Sequence, residues 1–532
     1  MRLLFFARHW SYLRNFESAL EALAQRGHHI HMVVSVGETL GGQGMIERLV
    51  ARYPGQLSMG TAPAGTGRWF ELARSLRLSV DYLRYLEPRY ADTPQLRVRA
   101  EERTPHLILE LLQRRFFRGD AGRRWLSRAL RALERAIPRV QAFERFIAAQ
   151  QPDAVLITPL IDLGSPQIDY LRAAKALGMR TVLPVCSWDH LSTKALLRFV
   201  PDTVIVWNEI QRTEAVEMHG LAADRVVVTG AQCYDQWWGR QPSRSRAAFC
   251  ARVGLRPDRP FVLYACSSLL RKTTHEPTFV LDWIRALRSS GDPRLQDIGI
   301  LIRPHPARVK EWEPIDLSAS PQVVLFGDHP VDQQSKDDYY ESMYYSGAVV
   351  GLVTSAFIEA AVAGRACHTV LLPEISTASQ EGTIHFRYLA ADLLYVARSF
   401  DEHARMLADS LVPEGVSDPR SRAFAHSFVR PFGEESPATP RFVGVIEQVL
   451  ASPGPRPERA TLAEVALRLP LYAALAWTDL PERTRLGWKQ LRSGARKGYL
   501  LWRMRLLGNP KRFVLRRLGA MRGSTGSANR PS

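Results

Sequence analysis

Residues 348–386, AVVGLVTSAFIEAAVAGRACHTVLLPEISTASQEGTIHF, decide the fold. Residues 349–353 form a continuous apolar run, the pattern of a strand buried on both faces of a parallel sheet. Thr354 and Ser355 mark a turn, 356–363 read as a helix that Gly364 ends, and 366–372 are again apolar. Such a unit sets a hydroxyl and free backbone N–H groups at the carboxyl edge of a parallel sheet, where α/β proteins hold phosphates. Glu359 follows Ser355 by four residues, one turn deeper on the same helix face, where a carboxylate can accept bonds from ribose hydroxyls. A Glu in a first helical turn is also favoured by the helix dipole alone, so the rest of the chain has to carry the reading.

Working outward, the second half opens with a strand at 261–265 that runs into Cys266, Ser267 and Ser268. A strand at 298–302 ends in Arg303-Pro304-His305-Pro306, and a third at 323–326 precedes a helix at 336–345. The first half alternates in the same way, with strands expected at 2–7, 28–36, 154–158, 181–185, 203–207 and 225–229. Arg8-His9-Trp10 falls in its first strand-to-helix connection, and Ser187-Trp188-Asp189-His190 follows a later strand. No GxGxxG is present there, which argues against a dinucleotide cofactor. Residues 230–259, rich in Gly, Pro and polar side chains, form the connector. The chain therefore reads as α/β, two Rossmann-like domains facing across a cleft, spanning 1–235 and 258–450. Polar residues gather behind strands in both halves, and two such edges facing each other line the cleft.

At 532 residues the chain exceeds one core, and 46% hydrophobic with 23% charged residues is ordinary for globular domains. Its five cysteines contain no CxxC pair and read as reduced core residues of a cytosolic protein. The apolar part of MRLLFFARHW is too short for a signal peptide, and no run of about 18 apolar residues occurs, so neither secretion nor a membrane span is expected. The net charge of +18 is concentrated in two places. From residue 451 onward 17 Lys/Arg face 4 Asp/Glu, and a helical insertion at 68–150 holds 18 Arg against 10 acids. Those segments exceed the whole net charge, which leaves the two α/β cores slightly acidic.

Taken together, the two Rossmann-like domains, the RPHP loop and the Ser-x-x-x-Glu helix resemble the GT-B fold of nucleotide-sugar glycosyltransferases. The pairing of RPHP with TSAFIEAA is similar to bacterial capsule and teichoic-acid polymer transferases, the CDP-glycerol glycerophosphotransferase-like group. The Ser187–His190 loop, the VWNEIQ run at 206–211 and Thr229-Gly230-Ala231-Gln232 resemble bacterial members of that wider group. The likeness covers about residues 1 to 450. It implies donor binding by Arg303, His305, Ser355 and Glu359, joined by Ser267 and Ser268 behind their strand and by Thr383 and His385 in a segment that closes over the donor. His385 reads equally well as a structural histidine.

The resemblance implies an inverting, metal-independent glycosyltransferase, because two glutamates eight apart are missing (Gly351 and Cys367 stand there), as is a DxD motif. No cofactor is expected beyond the nucleotide-sugar substrate. Val353 before Thr354-Ser355 departs from the aspartate usual in the glycerophosphotransferases, which favours a sugar over a polyol phosphate. His9 and Asp189 are the expected catalytic bases, being ionisable residues on first-domain loops beside the cleft. The acceptor is expected to be a cell-surface glycan or a lipid-linked precursor. A sugar-nucleotide 2-epimerase and a non-catalytic GT-B-like scaffold are the alternatives. The basic amphipathic tail, 451–532, has Leu491, Ala495, Tyr499, Trp502 and Leu506 on one helical face, with basic residues beside it. That pattern suits an anionic membrane surface and a peripheral place on the inner face of the cell membrane, rather than nucleic acid.

Overall fold

A computed structural model describes residues 1–37, 41–268, 275–318, 320–376 and 380–479. Two parallel sheets organise it. The first has the order β3-β2-β1-β4-β5-β6-β7, from β1 (Arg2–Ala7), β2 (His29–Val34), β3 (Leu57–Thr61), β4 (Ala154–Thr158), β5 (Arg180–Pro184), β6 (Thr203–Val206) and β7 (Val226–Val228). The second has the order β10-β9-β8-β11-β12-β13, from β8 (Phe261–Ala265), β9 (Gly299–Arg303), β10 (Val323–Leu325), β11 (Ala348–Val350), β12 (Ala366–Val370) and β13 (Tyr395–Ala397). Both follow the doubly wound order, reversing direction between β1 and β4 and between β8 and β11.

The central strands are apolar because they are covered on both faces, as β4 and β9 show by burying every residue. Leu3 and Phe5 point into one core layer of the first domain, whereas Leu4 and Phe6 point into the other, the period-two alternation of a strand. Six strands were expected in the first half and seven are found. The extra one, β3, is the edge strand LSMGT, in which only Leu57 is buried and the polar and small residues give no apolar run.

The strand expected at 349–353 is shorter than its apolar run suggests. β11 stops at Val350, the next residues turn, and a helix follows at Ala356–Val362, after which Gly364 takes φ +73°. The expected second-domain span of 258–450 closes with the helix Ala438–Ala451, and that helix packs on the first sheet. Phe442, Val443 and Ile446 join Leu3, Phe5 and Phe16 there. Asp235 fixes the crossing, accepting from the backbone of Ala438 (3.1 Å) and Thr439 (2.6 Å) and pairing with Arg430 at 2.9 Å. Gly230, at φ +88°, lets the chain pass, because a Cβ there would stand 2.8 Å from Ala438 Cβ.

The insertion is helical, with Arg68–Arg84 and Asp120–Ala136 as its longest elements. Arg77, fully buried within it, is held by Glu134 (2.8 Å) and Asp169 (2.7 Å), so this charge is paired inside the fold. The helix Leu462–Asp479 packs against it. The tail from residue 480, with the helical face expected around Tyr499 and Trp502, lies outside the described residues. Among the described residues no helix is long and apolar enough to cross a membrane.

Candidate active site

The carboxyl ends of β5 and β6 in the first sheet and of β8, β9, β10 and β11 in the second surround a cleft of about 390 Å³. Arg303, His305, Ser355 and Glu359, separated by up to 56 positions in sequence, all line it. They stand together because each sits just past the end of a parallel strand or in the helix that follows, at the edge where the sheet reverses direction.

Arg303 ends β9 and is 6% exposed. Its guanidinium lies over the Tyr339 ring, 4.6 Å from the centroid, and Nη2 donates to Asp328 O at 2.5 Å. Nη1 is buried and has no hydrogen-bond partner among the described residues. Room for it comes from Gly327, where a Cβ would fall 2.2 Å from that nitrogen. A buried guanidinium with an open donor at a cleft wall is placed to receive an anion.

His305 begins the short helical turn Pro306–Glu311, and its Nδ1 accepts from the Ala307 backbone at 3.2 Å. That bond puts the proton of the neutral ring on Nε2. Burial, together with Arg308 and Arg14, keeps the ring below the usual histidine value, so it serves as a neutral donor near pH 7.

Glu359 is half-buried and accepts from Tyr339 Oη at 3.2 Å. Burial pushes its carboxyl up to about 7, against the pull of Arg14 and of the Tyr339 bond. Ser355, one turn earlier, is exposed, has helical backbone angles and makes no capping hydrogen bond.

Other expected residues have different duties. Ser267 is fully buried: its hydroxyl accepts from Val353 N (3.1 Å), and its own N–H donates to Glu276 (3.0 Å). It fixes the β11 turn and does not line the cleft, while Ser268 is exposed beside it. Thr383 is also buried and donates to Gln380 O at 3.0 Å. Asp189 is set behind Ser187 and Trp188, which do line the cleft. It accepts from Ser187 Oγ at 2.6 Å and pairs with Lys194 at 3.3 Å. Burial disfavours its charge, yet Lys194, His190 and His385 outweigh that and hold it well below the usual carboxylate range. An acid held so firmly ionised is a weak proton acceptor.

His385 meets this loop from the second domain. Its ring stands edge-on to Trp188 at 4.6 Å, and burial keeps it neutral down to about pH 4. His9 stands at the N-cap position of the short helix Trp10–Leu13 without a side-chain capping bond, and its ring packs on Tyr12 at 4.4 Å. Although His9 is outside the cleft lining, Ser11 and Arg14 from the same segment are part of it.

Two cleft residues were missed in the sequence. Tyr339 joins Arg303 to Glu359, and Arg14 brings a first-domain cation to the opposite wall, 3.5 Å from His329 Nε2. Both sit on amphipathic helical segments whose apolar spacing reads as core. The VWNEIQ run has a local purpose as well: Asn208 caps the next helix, and Gln211 Nε2 holds Ser187 O at 3.1 Å. The domains are also tied by Lys336–Glu17 at 2.8 Å and by Tyr388 donating to Glu214 at 2.7 Å. Among the described residues no group of three or more His, Cys, Asp or Glu is placed to hold a metal ion.

No protein-family model matches the chain, and no curated protein is similar to it in sequence. Among solved structures, it is similar to a proposed UDP-N-acetylglucosamine 2-epimerase from Listeria monocytogenes, at 13% identity and TM-score 0.50, over 86% of this chain and 99% of that one. A UDP-GlcNAc 2-epimerase from Methanocaldococcus jannaschii matches at 11% identity and TM-score 0.48, over 84% of this chain and 100% of that one. A glycosyltransferase from Rickettsia africae matches at 10% and 0.47, over 85% and 99%. What the Listeria likeness shows is the fold: two Rossmann-like domains facing across a cleft, the GT-B architecture.

Proposed function

We propose that the protein uses a nucleotide-sugar, and that it moves the sugar, with inversion, to a hydroxyl of a cell-surface glycan or lipid-linked acceptor. The observation that carries this reading is the open, buried Nη1 of Arg303, set beside Tyr339 and Glu359. One diphosphate and one ribose fit that spacing of functions: a fixed guanidinium for the phosphates and a carboxylate one helix away for the ribose hydroxyls. The Listeria fold neighbour is by name a UDP-N-acetylglucosamine 2-epimerase, which fits a nucleotide-sugar as the substrate class.

Chemically, an inverting transfer needs a base on the acceptor side and charge stabilisation on the leaving diphosphate. Arg303, Arg14 and the Nε2–H of His305 supply the second from both walls of the cleft. His9 is the better candidate for the base, because Asp189, held well below the usual carboxylate range and committed to Ser187 and Lys194, is a weak proton acceptor. Asp189 then orients the Ser187–Trp188 loop.

The 2-epimerase alternative needs carboxylates converging on the sugar. Glu359 and Asp328 are the carboxylates in the cleft wall, and Glu359 is bonded to Tyr339. That set favours transfer over epimerisation, and the CDP-glycerol variant stays behind the sugar reading for want of its aspartate at Val353. The test is product analysis with a nucleotide-sugar, with and without a glycan or polyprenol-linked acceptor. Transfer that requires acceptor and drops about 100-fold in His9→Ala is expected. A C2 epimer formed without acceptor would replace this reading.

A further inference from the structure

The first sheet reverses direction between β1 and β4, and four arginines gather over the loops at its carboxyl edge there. Arg8 leaves β1 and pairs with Asp162, in a turn that Ser165 N closes by donating to Asp162 O at 2.9 Å. Arg74, from the helix Arg68–Arg84, crosses the same turn, since a Cβ on Gly164 would stand 3.4 Å from Arg74 Cγ. Leu163, also of this turn, packs with Leu96 and Ala100 of the helix Pro94–Glu101. Arg99 of that helix donates through Nη2 to Thr193 O behind β5, and Arg103 follows it by four residues, where the helix ends.

Arg74 and Arg103 are exposed, and Arg8 and Arg99 are half-buried, so the group opens to solvent. Partial desolvation disfavours the charge on Arg103, and Arg99, Arg8 and Arg74 add to that in this order, as like charges in one another's field must. Asp162 is committed to Arg8, and Glu102 offsets Arg103 less than any of these opposes it. Arg99 Nε is buried with no hydrogen-bond partner among the described residues. Like charges four apart on a helix cost stability, so a fold that holds them together and leaves a donor open is arranged for an anion.

The surroundings say which molecule brings it. Arg8 directly precedes His9, and Tyr12, whose ring packs on His9 at 4.4 Å, lies in the field of both Arg8 and Asp189. Thr193, which takes the Arg99 bond, donates to Asp189 O at 2.7 Å. The cluster thus borders the first-domain side of the cleft, whereas Arg303 and Glu359 belong to the second domain. We propose that Arg8, Arg74, Arg99 and Arg103 bind a phosphate group carried by the acceptor, near the hydroxyl that receives the sugar. A phosphate offers three acceptor oxygens to several guanidiniums at once, where a carboxylate offers two. Calling the bound molecule the acceptor rests on the transfer reading above, but the phosphate site itself does not.

The test is calorimetric titration of the full chain with inorganic diphosphate. Arg303→Ala removes the donor-side contact and should leave one diphosphate site. Adding Arg74→Gln and Arg103→Gln, both at exposed positions, should weaken that remaining site about tenfold or more. UDP, titrated in parallel, reports the donor site and is expected to bind the Arg74→Gln, Arg103→Gln protein as it binds wild type. Farnesyl diphosphate binding the remaining site more tightly than inorganic diphosphate would identify a lipid carrier as the source of the phosphate, and equal binding a soluble phosphorylated glycan. Loss of all diphosphate binding in Arg303→Ala would overturn the proposal, as would a triple variant that binds like Arg303→Ala, and both results would leave the donor site standing. Loss of UDP binding in the Arg74→Gln, Arg103→Gln protein would assign these arginines to the donor and overturn it as well.

Discussion

The Arg303 guanidinium rests 4.6 Å from the centre of the Tyr339 ring, and the same ring's hydroxyl donates to Glu359 at 3.2 Å. One aromatic side chain thus fixes both a phosphate-type cation and a ribose-type carboxylate. Its helix, Gln333–Tyr344, starts with a capping box formed by Asp332 and Ser335, which sets its register against β9 and β11.

Tyr339→Phe removes a hydrogen bond that helps Glu359 ionise. Without it the Glu359 pKa rises above about 7, so more of the carboxyl is protonated at neutral pH. Nucleoside diphosphate affinity in this variant should fall several-fold at pH 7 and recover toward wild type by pH 8.5. Calorimetry at the two pH values checks this, and a loss of equal size at both would show that the tyrosine acts only by packing.

Gly327→Ala places a methyl where the Arg303 guanidinium now sits, at a backbone φ of +118°. Because Arg303 is wedged on Tyr339, the side chain has to leave its position. Nucleotide affinity should drop tenfold or more, in line with losing a charge-assisted bond, while the far-ultraviolet circular dichroism stays unchanged. Wild-type affinity would mean that Arg303 is not positioned by this glycine.

Much of the fold is legible in the sequence because parallel strands covered on both faces must be apolar, as at 261–265 and 154–158. RPHP and the Ser355–Glu359 helix are legible for a related reason, since polar residues directly behind such strands reach the sheet edge. β3 and the three-residue β13 are hidden because edge strands need no apolar run. Tyr339 and Arg14 are hidden because each sits on a helical segment whose apolar spacing reads as core, and spacing does not say which of its polar side chains reaches the cleft. Ser267 and Thr383 have the right residue type in the right loops, yet their hydroxyls are used for backbone bonds, a distinction that spacing does not carry.

Buried acids give a pH signature in stability. Burial pushes Glu214 and Glu276 each up to about 7, against roughly 4.3 for an exposed glutamate. A raised folded-state value favours the protonated fold, so this stabilisation is full below about pH 4 and is lost as pH rises through 7. The loss amounts to about 4 kcal/mol per group at most. Relative to wild type, the double variant Glu214→Gln and Glu276→Gln should therefore gain stability between pH 5 and 8 in denaturant melts. A difference that does not change with pH would contradict the assignment.

The most direct test of the nucleotide site is calorimetric titration of the full chain with UDP, CDP, CMP and GDP at pH 7.5, repeated with Arg303→Ala and Glu359→Gln. At least one nucleoside diphosphate is expected to bind, with each variant weakening it tenfold or more. No binding by any of the four, or Arg303→Ala binding as tightly as wild type, would contradict the placement of a donor diphosphate against Arg303.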